Sequence, residues 1–182
     1  SVQLNHGGTE MGQGLHTKML AICAHELGLP AERVRVMTTA TDKVPNTSAT
    51  AASSGADLNG QAVRSACETL RERLAPVAAK LLGVASIEVV FAGGKVFARD
   101  EPGKAVSFEK VTEQAHLSQV PMSATGFYKT PDISYARAAG RGKPFHYFAV
   151  GAAVSEVELS GLTGEHRLRR VDILHDAGAS LV

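Results

Sequence analysis

A chain of 182 residues, 44% hydrophobic and 20% charged, has the size and balance of one large globular domain or two small ones. A formal net charge of +1 offers no basic field to a nucleic acid or an acidic membrane, and no apolar run approaches the roughly 18 to 20 residues of a membrane span. The opening SVQLNHGG lacks the basic and apolar regions of a secretion signal. The two cysteines, Cys23 and Cys67, fall in helical patterns without metal-ligand spacing, so they read as buried small hydrophobes in a reducing, cytoplasmic compartment.

Val2 to Asn5 alternates like the end of a strand and runs into a glycine-rich loop, HGGTEMGQG. From there Leu15, Met19, Ile22, Cys23 and Leu27 form a helical stripe, which Gly28 stops with Pro30 just beyond. RVRVMT, from Arg33 to Thr38, alternates as a strand, so the first forty or so residues predict a βαβ unit. Next comes TATDKVPNTSATAASSGADLNG, about twenty residues nearly free of bulky side chains and longer than an ordinary connector. It leads into a second helix with Val63, Ala66, Leu70 and Leu74 on one face, bent or interrupted at Pro76 and running to about Leu82.

Ile87 to Phe91 and Lys95 to Ala98 flank Gly93-Gly94, a hairpin signal. A short helix is predicted over Phe108 to Leu117, a strand over Met122 to Tyr128, and an irregular loop from Lys129 to Lys143. The longest strand pair follows, Phe145 to Leu159 and His166 to His175, joined at SGLTGE. This order predicts an α+β fold, a mixed sheet with covering helices, in which about 1–83 carries both loops and two helices and about 84–182 is sheet-rich. Both ends of the chain fall hard against regular elements, which predicts a piece of something larger.

The two loops carry the functional signal. Gly7 to Gly12 has the Gly-x-x-x-x-Gly spacing of a phosphate-binding P-loop, but Gln13 and Gly14 stand where that motif needs Lys and Ser or Thr. A tight turn could use some of these glycines; four exceed its needs, and a backbone closely approaching a flat polar ligand accounts for them better. Gln13 would offer that ligand an amide donor and acceptor. In the second loop, Pro45 to Asn59, Thr47, Ser48, Thr50, Ser53 and Ser54 supply hydroxyls, while Ala49, Ala51, Ala52 and Gly55 leave the backbone uncovered. A flexible linker would share that composition, but the loop abuts a helix start, where amides and dipole favour an anion. Together the loops could hold one extended ligand. No Gly-x-Ser-x-Gly elbow and no His-Glu-x-x-His pair occurs, and the seven histidines are scattered and read as structural. Asp172, His175 and Asp176 alternate along a strand and so do not converge on a metal.

The stretches LNHGGTEMGQGLHTKM, VPNTSATAASSGADLNGQAV, SATGFYKTP and FHYFAVGAAVSEVELSGLTGEHRLRRVDILHDAGASL together resemble the molybdenum-binding subunit of the xanthine dehydrogenase family of molybdenum hydroxylases. The resemblance runs nearly end to end, is weakest between about Leu81 and Glu113, and looks nearest to bacterial enzymes with a separate molybdenum subunit. It implies a stretch of the C-terminal molybdopterin-binding region. Such enzymes hydroxylate purines (hypoxanthine to xanthine to urate) at molybdenum. Electrons then pass through two [2Fe–2S] clusters and FAD, in a partner subunit or domain of a hetero-oligomer, to NAD.

The metal is held by the pterin's dithiolene sulfurs and not by side chains. Met11, Gly12 and Gln13 match positions that contact the pterin. Ala51, Ala52, Ser53 and Ser54 match the loop lining the molybdenum and the pterin phosphate, with Ala52 nearest metal and substrate. Val154 stands where some relatives carry Cys beside the pterin. No catalytic residue is expected within the chain. The family's general base, a Glu in a Gln-x-Glu-Gly motif, follows DAGASL and so falls beyond Val182, which itself replaces a usual Asn. The substrate-orienting Glu and Arg, and the Gln near the metal's oxo group, precede Ser1. These 182 residues alone are therefore expected to be inactive. Another molybdenum hydroxylase, such as an aldehyde oxidase, or a non-catalytic binding domain of the same fold are the alternatives.

Overall fold

A computed structural model describes residues 1–44, 47–51 and 54–179. The chain forms two compact units, Ser1–Lys129 and a second beginning at Thr130. Residue 83, where helix gives way to strands, lies inside the first unit. Parallel and antiparallel pairings both occur, in separate small sheets.

The first unit is built on three helices. Strand β1 (Val2–Leu4) pairs in parallel with β2 (Val34–Val36), Val2 opposite Val34 and Leu4 opposite Val36. Helix α1 (Leu15–Leu27) crosses between them, which makes the βαβ unit expected from the alternation. Leu15, Met19, Cys23 and Leu27 are all but sealed from solvent, so the predicted stripe is the buried face. Gly28 closes α1 in the left-handed region at φ 63°. Its N–H donates to His25 O and that of Leu29 to Ala24 O, the paired bonds that satisfy a helix's last carbonyls.

Helix α2 (Gly55–Leu82) continues for 28 residues without interruption at Pro76, which forgoes one backbone bond within the helix. Its buried Val63, Cys67, Leu74 and Val77 join the core that also holds the buried face of α1. Strands β3 (Val89–Ala92), β4 (Lys95–Ala98) and β5 (Glu101–Ser107) form an antiparallel meander with an irregularity at Phe97/Ala98. Pro102 and Gly103 hid β5 from the strand pattern. Helix α3 (Phe108–Leu117) has the predicted bounds. Ser107 caps it, accepting from the Lys110 N–H at 3.2 Å, and it buries Val111 and Ala115.

One expectation fails here. Residues 122–128, expected as a strand, form no regular element and pair with no strand. Arg73 holds the stretch instead, donating from Nη1 to Ser123 O at 2.8 Å.

In the second unit the expected irregular loop contains a small hairpin, β6 (Ser134–Ala136) with β7 (Arg141–Lys143), turned by Gly140 at φ 60°. The long ribbon β8 (Val150–Leu159) and β9 (His166–Asp176) follows, with a register shift at Glu156/Val157. No helix among the described residues is long and apolar enough to cross a membrane.

The end of α1 locks onto the meander. A Cβ on Gly28 would stand 2.2 Å from Phe91 O, and Gly28 O accepts the Gly94 N–H at 2.8 Å. Gly83 ends α2 at a similar φ of 72° with nothing within 4 Å of a Cβ. Gly83→Ala should therefore cost only the left-handed penalty of roughly 1–2 kcal/mol, and Gly28→Ala about 2 kcal/mol more, because backbone must move. Urea unfolding of the two variants side by side checks the difference; equal losses would contradict the close approach at Gly28.

Candidate cofactor-binding site

Helices α1 and α2 start at the same place. A Cβ on Gly55, the first residue of α2, would lie 3.7 Å from the methyls of Leu15, the first of α1. The loops that precede them interlock. The Thr9 N–H donates to Thr50 Oγ1 at 2.7 Å, and Thr39 Oγ1 donates to Gly8 O at 3.2 Å. A Cβ on Gly7 would sit 2.2 Å from Thr47 Cγ2, so only glycine lets the loops close this far.

The two helix starts differ in charge. At α1 the Glu10 carboxylate fills the anion position: Oε1 accepts from Gly12 N–H at 2.8 Å and Gly14 N–H at 3.0 Å, and Oε2 from His16 N–H at 3.0 Å. The bond from His16, with those from Gly12 and Gly14, lowers the Glu10 pKa to about 2 against the opposing cost of its burial. At α2 the preceding Ser54 makes no side-chain cap, and an acidic side chain, Asp57, stands in the first turn. Ser54 Oγ donates away from it, to Ala51 O at 3.2 Å, and Asp57 accepts the N–H of Leu58 at 2.9 Å.

Beneath the glycine loop, His6 is buried and linked to His16, Nε2 to Nδ1, at 2.8 Å. His6 Nδ1 accepts the Gly8 N–H at 3.2 Å, so the His6 proton sits on Nε2 and is donated to His16. Burial, then the neighbouring His16, lowers the His6 pKa to about 4, with Glu10 pulling the other way. A cavity of about 1170 Å³ opens beside the second loop, with Thr47, Ser48, Thr50, Ser54 and Asn59 on its polar wall and Leu70 and Leu74 on its apolar one.

The residues singled out by sequence are placed as follows. Met11 is exposed, with its N–H donated to Gln13 Oε1 at 2.6 Å, and Gln13 Nε2 donates to Thr9 O at 2.8 Å. Both ends of the Gln13 amide thus brace their own loop. Gly12 sits at φ 102° with open space where a Cβ would be. Ala51 and Ser54 lie at the mouth of α2, joined by their hydrogen bond. Ala52 and Ser53 lie outside the described residues. Val154 is exposed on β8 of the second unit, opposite Asp172.

Sequence reasoning missed Glu10, the His6–His16 pair and the Thr9–Thr50 link. An acidic residue in a glycine loop just ahead of a helix was the available signal for Glu10. No local pattern marks the other two. Among the described residues no three His, Cys, Asp or Glu side chains gather as metal ligands.

Residues 1–181 match the molybdopterin cofactor-binding domain family, and the chain belongs to it. It is 46% identical over 181 residues to the xanthine dehydrogenase/oxidase of Mus musculus and 45% identical over 179 residues to the xanthine dehydrogenase of Blastobotrys adeninivorans, covering 100% and 98% of this chain. It spans only 12% and 11% of those proteins. Among solved structures, quinoline 2-oxidoreductase from Pseudomonas putida 86 superposes with a TM-score of 0.78 at 24% identity, over 97% of this chain and 22% of that one. CO dehydrogenase from Oligotropha carboxidovorans does so with 0.78 at 22% identity, over 97% and 21%. These structures share the fold.

The shifted groups predict acid sensitivity. The His6 pKa is lowered from 6.5, so its stabilising contribution is complete above about 6.5 and lost as pH falls toward 4. That of Glu10 is complete above 4.5 and lost as pH falls toward 2. Stability should therefore drop between pH 6.5 and 4 with a slope of up to about 1.4 kcal/mol per pH unit from His6. His6→Phe should flatten that slope in urea titrations; an unchanged slope would assign the sensitivity elsewhere.

Proposed function

We propose that the paired loops hold the pterin and phosphate of a molybdopterin cofactor, and that the whole protein is a xanthine dehydrogenase hydroxylating purines at molybdenum. The observation that carries the reading is the interlocking of two small-residue loops at one convergence of helix starts, one already filled by Glu10 and the other not capped by Ser54. The lining offers such a group hydroxyls from Thr47, Ser48, Thr50 and Ser54 beside the start of α2, whose amides would face a phosphate. The bound group would supply the metal that activates oxygen and accepts electrons.

This chain's residues bind and orient. Glu10 and Gln13 fix the shape of the glycine loop from within, so its outer backbone at Met11 and Gly12 is what the pterin would meet. By the family resemblance, Ala51, Ala52, Ser53 and Ser54 would keep side-chain bulk away from metal and substrate, with Ala52 nearest both. Residues 1–182 are read as one part of the molybdopterin-binding region. FAD and [2Fe–2S] centres belong in this proposal to other domains or subunits of a hetero-oligomer that passes electrons to NAD. The two buried free thiols fit a reducing, cytoplasmic setting.

Ser54→Glu tests the placement. A carboxylate at the start of α2 favours the helix but repels a phosphate, so the full-length protein should fold while its molybdenum content falls roughly tenfold or more. Xanthine-dependent NAD reduction should fall in parallel. Full molybdenum occupancy in the variant would remove the phosphate from this helix end. A wild-type protein that is loaded with molybdenum yet turns over aldehydes and not xanthine would keep the cofactor reading and overturn the purine.

A further inference from the structure

Away from the loops, α1 and α2 bring together the chain's two cysteines. Cys23 and Cys67 are both buried and unbonded, with their sulfurs 3.8 Å apart, the Cys67 S–H donating to Cys23 Sγ. A disulfide needs about 2.05 Å between sulfurs, so side-chain rotation has less than about 2 Å to close. The helices approach closely beside the pair. A Cβ on Gly60, two turns before Cys67, would lie 2.8 Å from Ile22 Cδ1, next to Cys23. Both cysteines also line the wide cavity, which gives a small polar oxidant a route to otherwise buried sulfur.

We propose that Cys23 and Cys67 are a peroxide-sensitive thiol pair, forming a reversible disulfide that ties α1 to α2 beneath the two loops. Cys23 gives its proton to solvent and the thiolate attacks one oxygen of hydrogen peroxide; an S–O bond forms, the O–O bond breaks, and hydroxide leaves, taking a proton back from solvent as water. The Cys67 sulfur then attacks the sulfenic sulfur of Cys23. The S–S bond forms, the S–O bond breaks, and the hydroxyl leaves with the Cys67 proton as a second water. Two thiols and one peroxide give one disulfide and two waters, the sulfurs losing two electrons to the peroxide. The donated S–H lowers the Cys23 pKa and raises that of Cys67, which makes Cys23 the attacking partner and Cys67 the resolving one. Because both helices begin at the loops, the cross-link would fix the distance between the two halves of the cofactor cradle.

The test uses the full-length protein treated with hydrogen peroxide, quenched by alkylation in denaturant and digested without reductant. Mass spectrometry should find the Cys23 and Cys67 peptides joined, with alkylation of both reduced about tenfold and restored by dithiothreitol. In Cys23→Ser the joined species should vanish while circular dichroism stays unchanged. The proposal is overturned if both thiols of the wild type remain fully alkylatable after peroxide, or if Cys23 ends as sulfinic acid with Cys67 still free.

Discussion

The arrangement depends on one contact, the hydrogen bond from the Thr9 N–H to Thr50 Oγ1, made where the first residues of α1 and α2 lie against each other. It joins segments 41 residues apart in the chain. It is possible only because Gly7 has no Cβ to collide with Thr47. Helix starts are positive and rich in unpaired amides, so bringing two together would concentrate unfavourable charge unless something negative is supplied. Glu10 supplies it on one side. Its carboxylate takes three amides of the glycine loop and of the start of α1, which converts a potential ligand site into a self-contained turn. At α2 Ser54 makes no such cap, and Asp57 is the acidic side chain of the first turn.

That asymmetry recasts the resemblance to a P-loop. Both motifs place glycines before a helix so that amides can reach an anion. Here the anion at α1 is part of the loop, and Gln13 closes the turn by bonding Met11 N–H and Thr9 O. The glycine loop therefore presents shape rather than charge. The proposed division of labour follows: the first loop offers a fixed backbone surface to a flat ring system, and the second offers hydroxyls and a helix end to an anionic group. The His6–His16 pair beneath holds the first loop from the inside, and it does so best while His6 is neutral.

Much of this was legible in the sequence, and the rest was hidden for identifiable reasons. The apolar stripe of Leu15, Met19, Cys23 and Leu27, with Gly28 behind it, gave α1 because burial and the left-handed cap are both local signals. Ser107 and the pattern after it gave α3 for the same reason. Residues 122–128 were expected as a strand, but a strand needs a partner, and partners are not local. β5 was hidden because Pro102 and Gly103 sit in a strand that β4 nevertheless pairs. The importance of the two loops was plain from their composition. Their contact through Thr9 and Thr50, and the pairing of His6 with His16, depend on tertiary placement that no spacing encodes.

The central claim is that the anionic end of the cofactor sits at the start of α2 and not at the start of α1. A crystal structure of the cofactor-loaded, full-length protein measures this directly. The account predicts phosphate density against the first-turn amides of α2 near Ser54, with the Glu10 carboxylate still bonded to the amides of Gly12, Gly14 and His16. A phosphate seated on those amides, with Glu10 swung away, would contradict it.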